Sequence, residues 1–570
     1  MSVALEASDL SAGAGGRKGA VPVGWIAVVG AIAILAALPV LSLFWLAATP
    51  ALDVWTHLIT TVLPGSVMTT VALLIGVGVC TAVIGVLSAW AVTMTRFPGR
   101  DLVSWLLLLP LAVPTYVAAY TYAEVLDYSG PVQTFVRLVA GATSARDYWF
   151  PSIHSTGGAI VILSFVLYPY VYLTTRATFL MQSACALEVS RTLGAGPLST
   201  FFRVALPLAR PAIVVGMTLS MMECLNDIGA VQYLGVRTLT VSIYETWLNR
   251  GSLAGAAQIA VAMLGFVVLL LVIERHARRH QRFFETATRC RPLPRAGLTG
   301  WRGLALFCVL LVPVALGFGV PAWVLGRSAL KRLETLADPA FLMAVRNTLV
   351  LAGIAAVVTV GLGSVIAYGE RVSRSGVVKA FARLASAGYA VPATVLAIGI
   401  LMPVAALDNA IANSVRAVTG LSIGLVLSGS GAALIYAYAT RFLTIGYGTV
   451  EAGLGRISPH LDMAARTLGR GPARALLEVQ VPLVRPAMLT AALLVFVDVM
   501  KELPATILLR PFNFETLATT VYNAASQEMF EDSAIAALAI VVVGLLPVIL
   551  LARTSGESFR DRRSVRTEEG

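Results

Sequence analysis

Two pairs of acidic residues stand out because each lies inside an otherwise apolar stretch: Glu223 with Asp227, and Asp498 with Glu502. The i, i+4 spacing puts both carboxylates of a pair on one face of a helix. Adding 275 to the first pair gives the second, so the pairs are equivalent positions of a repeat. Counted from Pro211 or Pro486 at ~1.5 Å per residue, the acids lie roughly 18 and 24 Å along their helices. Acids at such depth cost ~2.5–3.5 kcal/mol each on insertion scales, so they mark functional positions by default. Four carboxylates facing one axis would make an oxygen-rich, negative passage suited to a hard cation. The alternative is structural: the acids pair with Lys501 or cap a broken helix, since Gly229 and Pro504 follow at once. A passage needs transient contacts, so no stable metal site is expected.

The elements that position these acids are read from composition. The chain has 570 residues, 58% of them hydrophobic and only 13% charged, with a mean hydropathy of +0.82. That excludes a soluble globule, a disordered chain and a coiled coil, and defines an all-α integral membrane protein. A span needs about 20 apolar residues. Twelve such stretches follow: Trp25–Ala48, Met68–Met94, Leu102–Tyr122, Ser155–Leu173, Ala212–Ala230, Leu253–Ile273, Leu304–Leu325, Phe341–Tyr368, Leu384–Leu407, Leu421–Tyr438, Ala487–Leu508 and Ile535–Leu551.

With the N-terminus placed inside, 31 of the 42 lysines and arginines fall on inner segments and 9 on outer loops. The bias predicts that both termini are cytoplasmic. The net charge of +12 and the basic run from Arg275 to Arg302 are then explained by anionic lipid headgroups, with no nucleic acid required. Five scattered cysteines support neither disulfides nor a thiolate metal site. Clustered tyrosines (Tyr116, Tyr120, Tyr122 and Tyr128; Tyr168, Tyr170 and Tyr172) read as aromatic belts at the membrane interfaces.

The repeat extends beyond the acids. Arg191-Thr-Leu-Gly-Ala-Gly-Pro197 with Pro207-Leu-Ala-Arg-Pro-Ala212 answers Arg466-Thr-Leu-Gly-Arg-Gly-Pro472 with Pro482-Leu-Val-Arg-Pro-Ala487, and Val113-Pro114 answers Val391-Pro392 at an offset of 278. Six spans per copy make the repeats parallel, with any pathway at their interface. The expected organisation is a cytoplasmic N-terminus (1–24), a first six-helix unit (25–274), a basic linker (275–303), a second unit (304–552) and a cytoplasmic tail (553–570). Each duplicated loop, about 183–207 and 458–482, reads as a short amphipathic helix stopped by Gly194 or Gly469. A loop and Pro207 or Pro482 then lead into the next span. Such a unit presents a rigid knob to a cytoplasmic partner.

These loops resemble the EAA motif of ABC importer permeases: Glu188-Val-Ser-Arg-Thr-Leu-Gly194 with Val204-Ala-Leu-Pro207, and Met463-Ala-Ala-Arg-Thr-Leu-Gly469 with Val479-Gln-Val-Pro482. The second copy carries Met463 where the family often has Glu, with Asp462 one position earlier. The resemblance implies a type I importer permease in which Glu188, Arg191, Gly194 and Pro207, and Asp462, Arg466, Gly469 and Pro482, engage two ATP-binding subunits. It also implies an extracytoplasmic substrate-binding protein and a bacterial inner-membrane location. None of the four lysines follows a glycine, so the chain has no P-loop. No catalytic residue and no cofactor are expected, and ATP hydrolysis belongs to a partner.

The words Glu223-Cys-Leu-Asn-Asp-Ile-Gly-Ala230, Asp498-Val-Met-Lys-Glu-Leu-Pro-Ala-Thr506, Leu126-Asp-Tyr-Ser-Gly-Pro131 and Gly388-Tyr-Ala-Val-Pro-Ala-Thr394 resemble ferric-iron-type permeases, with thiamine permeases as close relatives. The resemblance implies iron as substrate, with thiamine or another small solute next. An ion-gradient-driven secondary transporter is the rival from another class, but it leaves the duplicated loop unexplained.

Overall fold

The computed structural model describes residues 23–49, 58–181, 196–278, 296–373, 375–422, 424–458 and 476–567, with single positions 56, 190, 194, 460, 461, 467 and 474 between them. Among these residues, ten helices are long and apolar enough to cross a membrane. A bent pair, Arg100–Ala112 with Thr115–Ala140, makes an eleventh if counted as one span. The protein is an all-α, multi-pass membrane protein.

Ten of the twelve apolar stretches fall over most of their length on one of the ten helices, from Val23–Ala47 to Phe530–Leu550. The third and tenth do not, and the ninth starts late. The third span is not one helix: Arg100–Leu106 gives way to a 3-10 turn at Leu109–Ala112, and Thr115–Leu126 starts anew after a bend of 93°. Pro110 and Pro114 remove two backbone donors, and Val113 takes the extended conformation that a following proline imposes. The ninth span starts later than its apolar pattern, at Ala393 after Pro392, and runs on to Thr419. Leu384 belongs instead to a separate amphipathic helix, Gly376–Ala385.

The expected tenth span, Leu421–Tyr438, is displaced: its helix is Ala432–Gly455, 24 residues long and not among the ten. The described residues of 420–431 form a loop instead. Gly420, with φ +72°, ends the preceding helix. Asp408 then accepts hydrogen bonds from the backbone N–H groups of Val426 (3.0 Å), Leu427 (2.7 Å) and Ser428 (2.8 Å). A carboxylate satisfying three backbone donors competes successfully with helix formation.

Contacts divide the chain into two compact units. One comprises the described parts of Met1–Leu38, Ala356–Tyr389 and Tyr438–Val495; the other comprises the described parts of Pro39–Ala355, Ala390–Ala437 and Phe496–Gly570. In the smaller unit, Val29, Ala33, Val360, Ile366, Leu443 and Val450 pack into one core. The larger unit is centred on Val86, Ala89, Leu107, Tyr168, Tyr172 and Phe179. The same close helix crossing occurs inside each unit. A Cβ on Gly85 would lie 2.8 Å from the Tyr172 nitrogen, and one on Gly363 would lie 2.6 Å from the Tyr447 nitrogen. Gly363 is 278 residues after Gly85, and Tyr447 is 275 after Tyr172, so both pairs follow the repeat offsets.

Two further bonds obey the offset of 278. The Leu239 N–H donates to Thr70 Oγ1 at 3.1 Å, and the Leu517 N–H donates to Thr348 Oγ1 at 2.9 Å. Each fastens the start of the element after the fifth span to the second helix of its own repeat.

Candidate translocation site and coupling loops

The fifth helix of each repeat is interrupted at its acids. Leu206–Asn226 stops, Asp227 turns extended, and a short helix, Gly229–Tyr233, resumes. Val481–Met500 stops likewise and Pro504–Leu509 resumes. The two breaks share one geometry: the Asp227 N–H donates to Cys224 O at 3.3 Å, and the Glu502 N–H donates to Val499 O at 3.2 Å. Pro504 belongs at a helix start, where its missing N–H costs nothing.

Both second acids are buried and cap the resumed helix. Asp227 Oδ1 accepts the Ala230 N–H at 2.8 Å. Glu502 Oε1 accepts the Ala505 N–H at 3.1 Å, while Oε2 accepts the Thr506 N–H (3.2 Å) and hydroxyl (2.8 Å). A carboxylate there satisfies donors that a helix start leaves unpaired and suits the positive end of the helix dipole. Asp498 pairs with Lys501 at 2.8 Å, and Glu223 lies partly buried one turn before Asp227. The structural alternative, capping or pairing with Lys501, is therefore realised for Asp227, Glu502 and Asp498.

The breaks lie against each other within the larger unit. A Cβ on Gly229 would come within 2.6 Å of Tyr116 Cβ and 2.8 Å of Leu503 Cδ2. Only a glycine admits that approach. Asn226 Oδ1 accepts the backbone N–H of Ala393 at 2.7 Å, joining the first break to the start of the helix after Val391-Pro392.

The tyrosines do not form belts. Tyr116, Tyr120, Tyr122, Tyr168 and Tyr172 are all buried within the protein, and of the residues named only Tyr128 is well exposed. Tyr168 and Tyr172 donate to Leu107 O and Ser104 O, both at 3.0 Å, and so hold the broken third span. Tyr122 donates to Leu316 O at 2.6 Å. Tyr120 stacks edge-on against Tyr233, with ring centroids 4.6 Å apart. Hydroxyls without local partners seek carbonyls left over by helix breaks, which composition alone does not show. Sequence reasoning also missed Asn226. Its signal was present: a polar residue directly before a buried acid, replaced by Lys501 in the other copy.

Of the loop residues, Gly194 is exposed with φ +82°, and a Cβ added there would meet nothing within 4 Å. The Ser190 and Thr200 hydroxyls lie 3.2 Å apart. Pro207 occupies the first turn of Leu206–Asn226, and Pro482 the first turn of Val481–Met500. Glu188, Arg191, Asp462, Arg466 and Gly469 lie outside the described residues. Among the described residues, no group of three or more histidines, cysteines or acids is arranged to hold a metal ion.

Residues 81–282, which include the first break and the first loop, match the family described as binding-protein-dependent transport system inner membrane component. The chain is a permease of this class of ABC importer: a translocation subunit, not itself an enzyme, that works with an ATP-binding subunit and a substrate-binding protein. It is 24% identical over 490 residues to the Fe(3+)-transport system permease protein FbpB 2 of Haemophilus influenzae, covering 85% of this chain and 88% of that one. Shorter similarities join it to the sulfate permease CysT of Escherichia coli (33% over 152 residues, 27% of this chain and 52% of that one). The molybdenum permease ModB of the same organism is 26% identical over 204 residues, covering 35% and 86%.

Proposed function

We propose that this permease carries ferric iron through a path formed between its two six-helix repeats, with Glu223, Asp227, Asp498 and Glu502 on that path. The observation that carries the reading is the length of one similarity. The relative matched across 85% of the chain, through both repeats, is an Fe(3+)-transport permease, whereas the sulfate and molybdenum permeases match about a third or less. Four acids at the two breaks favour a hard cation over an oxyanion. Capping and passage are compatible, because a carboxylate beside interrupted backbone is the kind of group that lines a polar cavity.

In this reading, both termini and both loops (about 183–207 and 458–482) are cytoplasmic, on the strength of the charge bias. One ATP-binding subunit docks on each loop, giving two copies. The repeats comprise residues 25–274 and 304–552, joined by a basic connector (275–303) and flanked by residues 1–24 and 553–570. A binding protein delivers iron from outside, and closure of the ATPase pair moves the loops and exchanges outward for inward access.

The test is stimulation of ATP hydrolysis in proteoliposomes holding the permease and its ATPase, on adding binding proteins loaded with ferric iron, sulfate or molybdate. Iron-loaded protein alone should stimulate; stimulation by an oxyanion-loaded protein instead would overturn the iron assignment. A proton ionophore should leave ATP-driven uptake intact.

A further inference from the structure

The second residues after the two helix-starting prolines share an unexplained feature. Tyr116 and Thr394 are repeat-equivalent at the offset of 278. Tyr116 is 4% exposed and Thr394 0%, and neither hydroxyl has a hydrogen-bond partner among the described residues. For Thr394 the cause is local. A helical threonine ordinarily donates to the carbonyl four residues back, but this helix starts at Ala393, so no helical carbonyl is available. Tyr116 is likewise the second residue of its helix, Thr115–Leu126.

Both residues border the first break. Tyr116 packs against Gly229, two residues after Asp227, and stands in the electrostatic field of both Glu502 and Asp227. Thr394 follows Ala393, whose N–H is held by Asn226, the residue before Asp227. Buried hydroxyls are almost always satisfied. The hydroxyls of Tyr120, Thr175, Thr359 and Ser364 also lack partners among the described residues. Tyr116 and Thr394, however, stand at equivalent positions and both adjoin the break at Asp227, which calls for a partner that is not part of the resting protein.

We propose that Tyr116 and Thr394 are substrate-contacting residues of the transport path, each offering its hydroxyl oxygen to a hard cation in passage past Asp227 and Glu502. The site is a mixed set of hydroxyl and carboxylate oxygens, the donor class that hard cations prefer. Its looseness suits a position that must release its ion as readily as it takes it. Tyr116 adds a second function: the root of its side chain fills the space beside Gly229, where a Cβ would lie 2.6 Å from Tyr116 Cβ and 3.2 Å from its Cγ, so it occludes the path at rest. This inference rests on the cation-path reading given above.

The test uses the full permease assembled with its ATPase in proteoliposomes, supplied with iron-loaded binding protein, and measures radio-iron accumulation for Tyr116→Phe, Thr394→Val and Thr394→Ser. The Phe and Val variants should each lower accumulation at least about tenfold, the scale of one lost polar partner in a dry site. Ser, which restores the hydroxyl, should recover it. Accumulation within about twofold of wild type for both Phe and Val, in complexes where neutralising the four acids abolishes it, overturns the role of the hydroxyls and leaves the acidic path standing. If neutralising the acids also changes nothing, the path itself is refuted. Should the Val variant fail to assemble, Phe and Ser carry the test: accumulation in Phe within about twofold of wild type, or a loss in Ser as large as that in Phe, overturns the hydroxyl role. Passive cobalt entry into calcein-loaded vesicles without ATP reads the occlusion: Tyr116→Ala should leak and Tyr116→Phe should not. A tight Ala variant refutes the plug.

Discussion

Asn226 and Ala393, 167 residues apart, are joined by a hydrogen bond of 2.7 Å from the backbone N–H of Ala393 to Asn226 Oδ1. It ties the interrupted fifth span of the first repeat to the first residue of a helix in the second. Helix starts have N–H groups without helical acceptors, and inside a membrane no water replaces one. Asn226→Leu removes the acceptor while keeping similar bulk. The permease should lose ~1–3 kcal/mol of stability, seen as a lower midpoint of thermal unfolding in detergent, whereas Asn226→Asp should retain most of it.

Capping and passage make separable demands on Glu502. Glu502→Ala removes the acceptor for the Ala505 N–H and for the Thr506 N–H and hydroxyl, and should destabilise by ~1–2 kcal/mol, the usual cost of a lost helix cap. Glu502→Gln keeps an oxygen acceptor but no charge. It should hold the fold within ~1 kcal/mol and still lose cation uptake. Thermal unfolding and uptake measured on the same preparations separate the two; uptake unchanged in Gln assigns Glu502 to structure alone.

How much of the fold and site is legible in the sequence depends on the length scale of the cause. The acids, the repeat and the loops are legible because they recur as words at a fixed offset. The interruption at Asp227 and Glu502 is foreshadowed by Gly229 and Pro504, but which role the carboxylates take depends on atoms a few ångströms apart. The third span reads as continuous because Leu102–Tyr122 is apolar throughout, and apolarity is blind to a bend at Pro110 and Pro114. Leu421–Tyr438 misleads for the opposite reason: its leucines and valines are apolar enough, but Asp408, 13 residues earlier in the chain, holds the loop open. Buried tyrosine hydroxyls paired with distant carbonyls leave no mark in the sequence.

The paired threonines provide a test of the repeat itself. Thr70→Val and Thr348→Val each remove the acceptor for one backbone N–H, of Leu239 and Leu517 respectively. Each should cost ~1–3 kcal/mol, and the two costs should agree within a factor of about two, the usual context dependence of such bonds. Unfolding midpoints of the two single variants check this; a large effect for one and none for the other would show that the equivalent bonds are not equivalent in energy.

Gly194 sits in the left-handed region, where a β-branched side chain is strained whatever space surrounds it. Gly194→Val, alone and with Gly469→Val, should leave membrane insertion intact and reduce capture of the ATP-binding subunit, by about tenfold or more for the pair if each lost docking contact is worth ~1 kcal/mol. Co-purification of the ATPase with the permease is the readout. Normal capture with normal uptake would remove these loops from the coupling role.

The most direct measurement is accumulation of radio-iron in proteoliposomes containing the permease, with and without its ATP-binding subunit and ATP, beside parallel samples supplied with labelled sulfate and molybdate and their binding proteins. Uphill iron accumulation that needs both ATP and the second subunit, with no oxyanion accumulated, is the expected result. Uphill transport by this chain alone, or accumulation of an oxyanion in place of iron, would contradict the account.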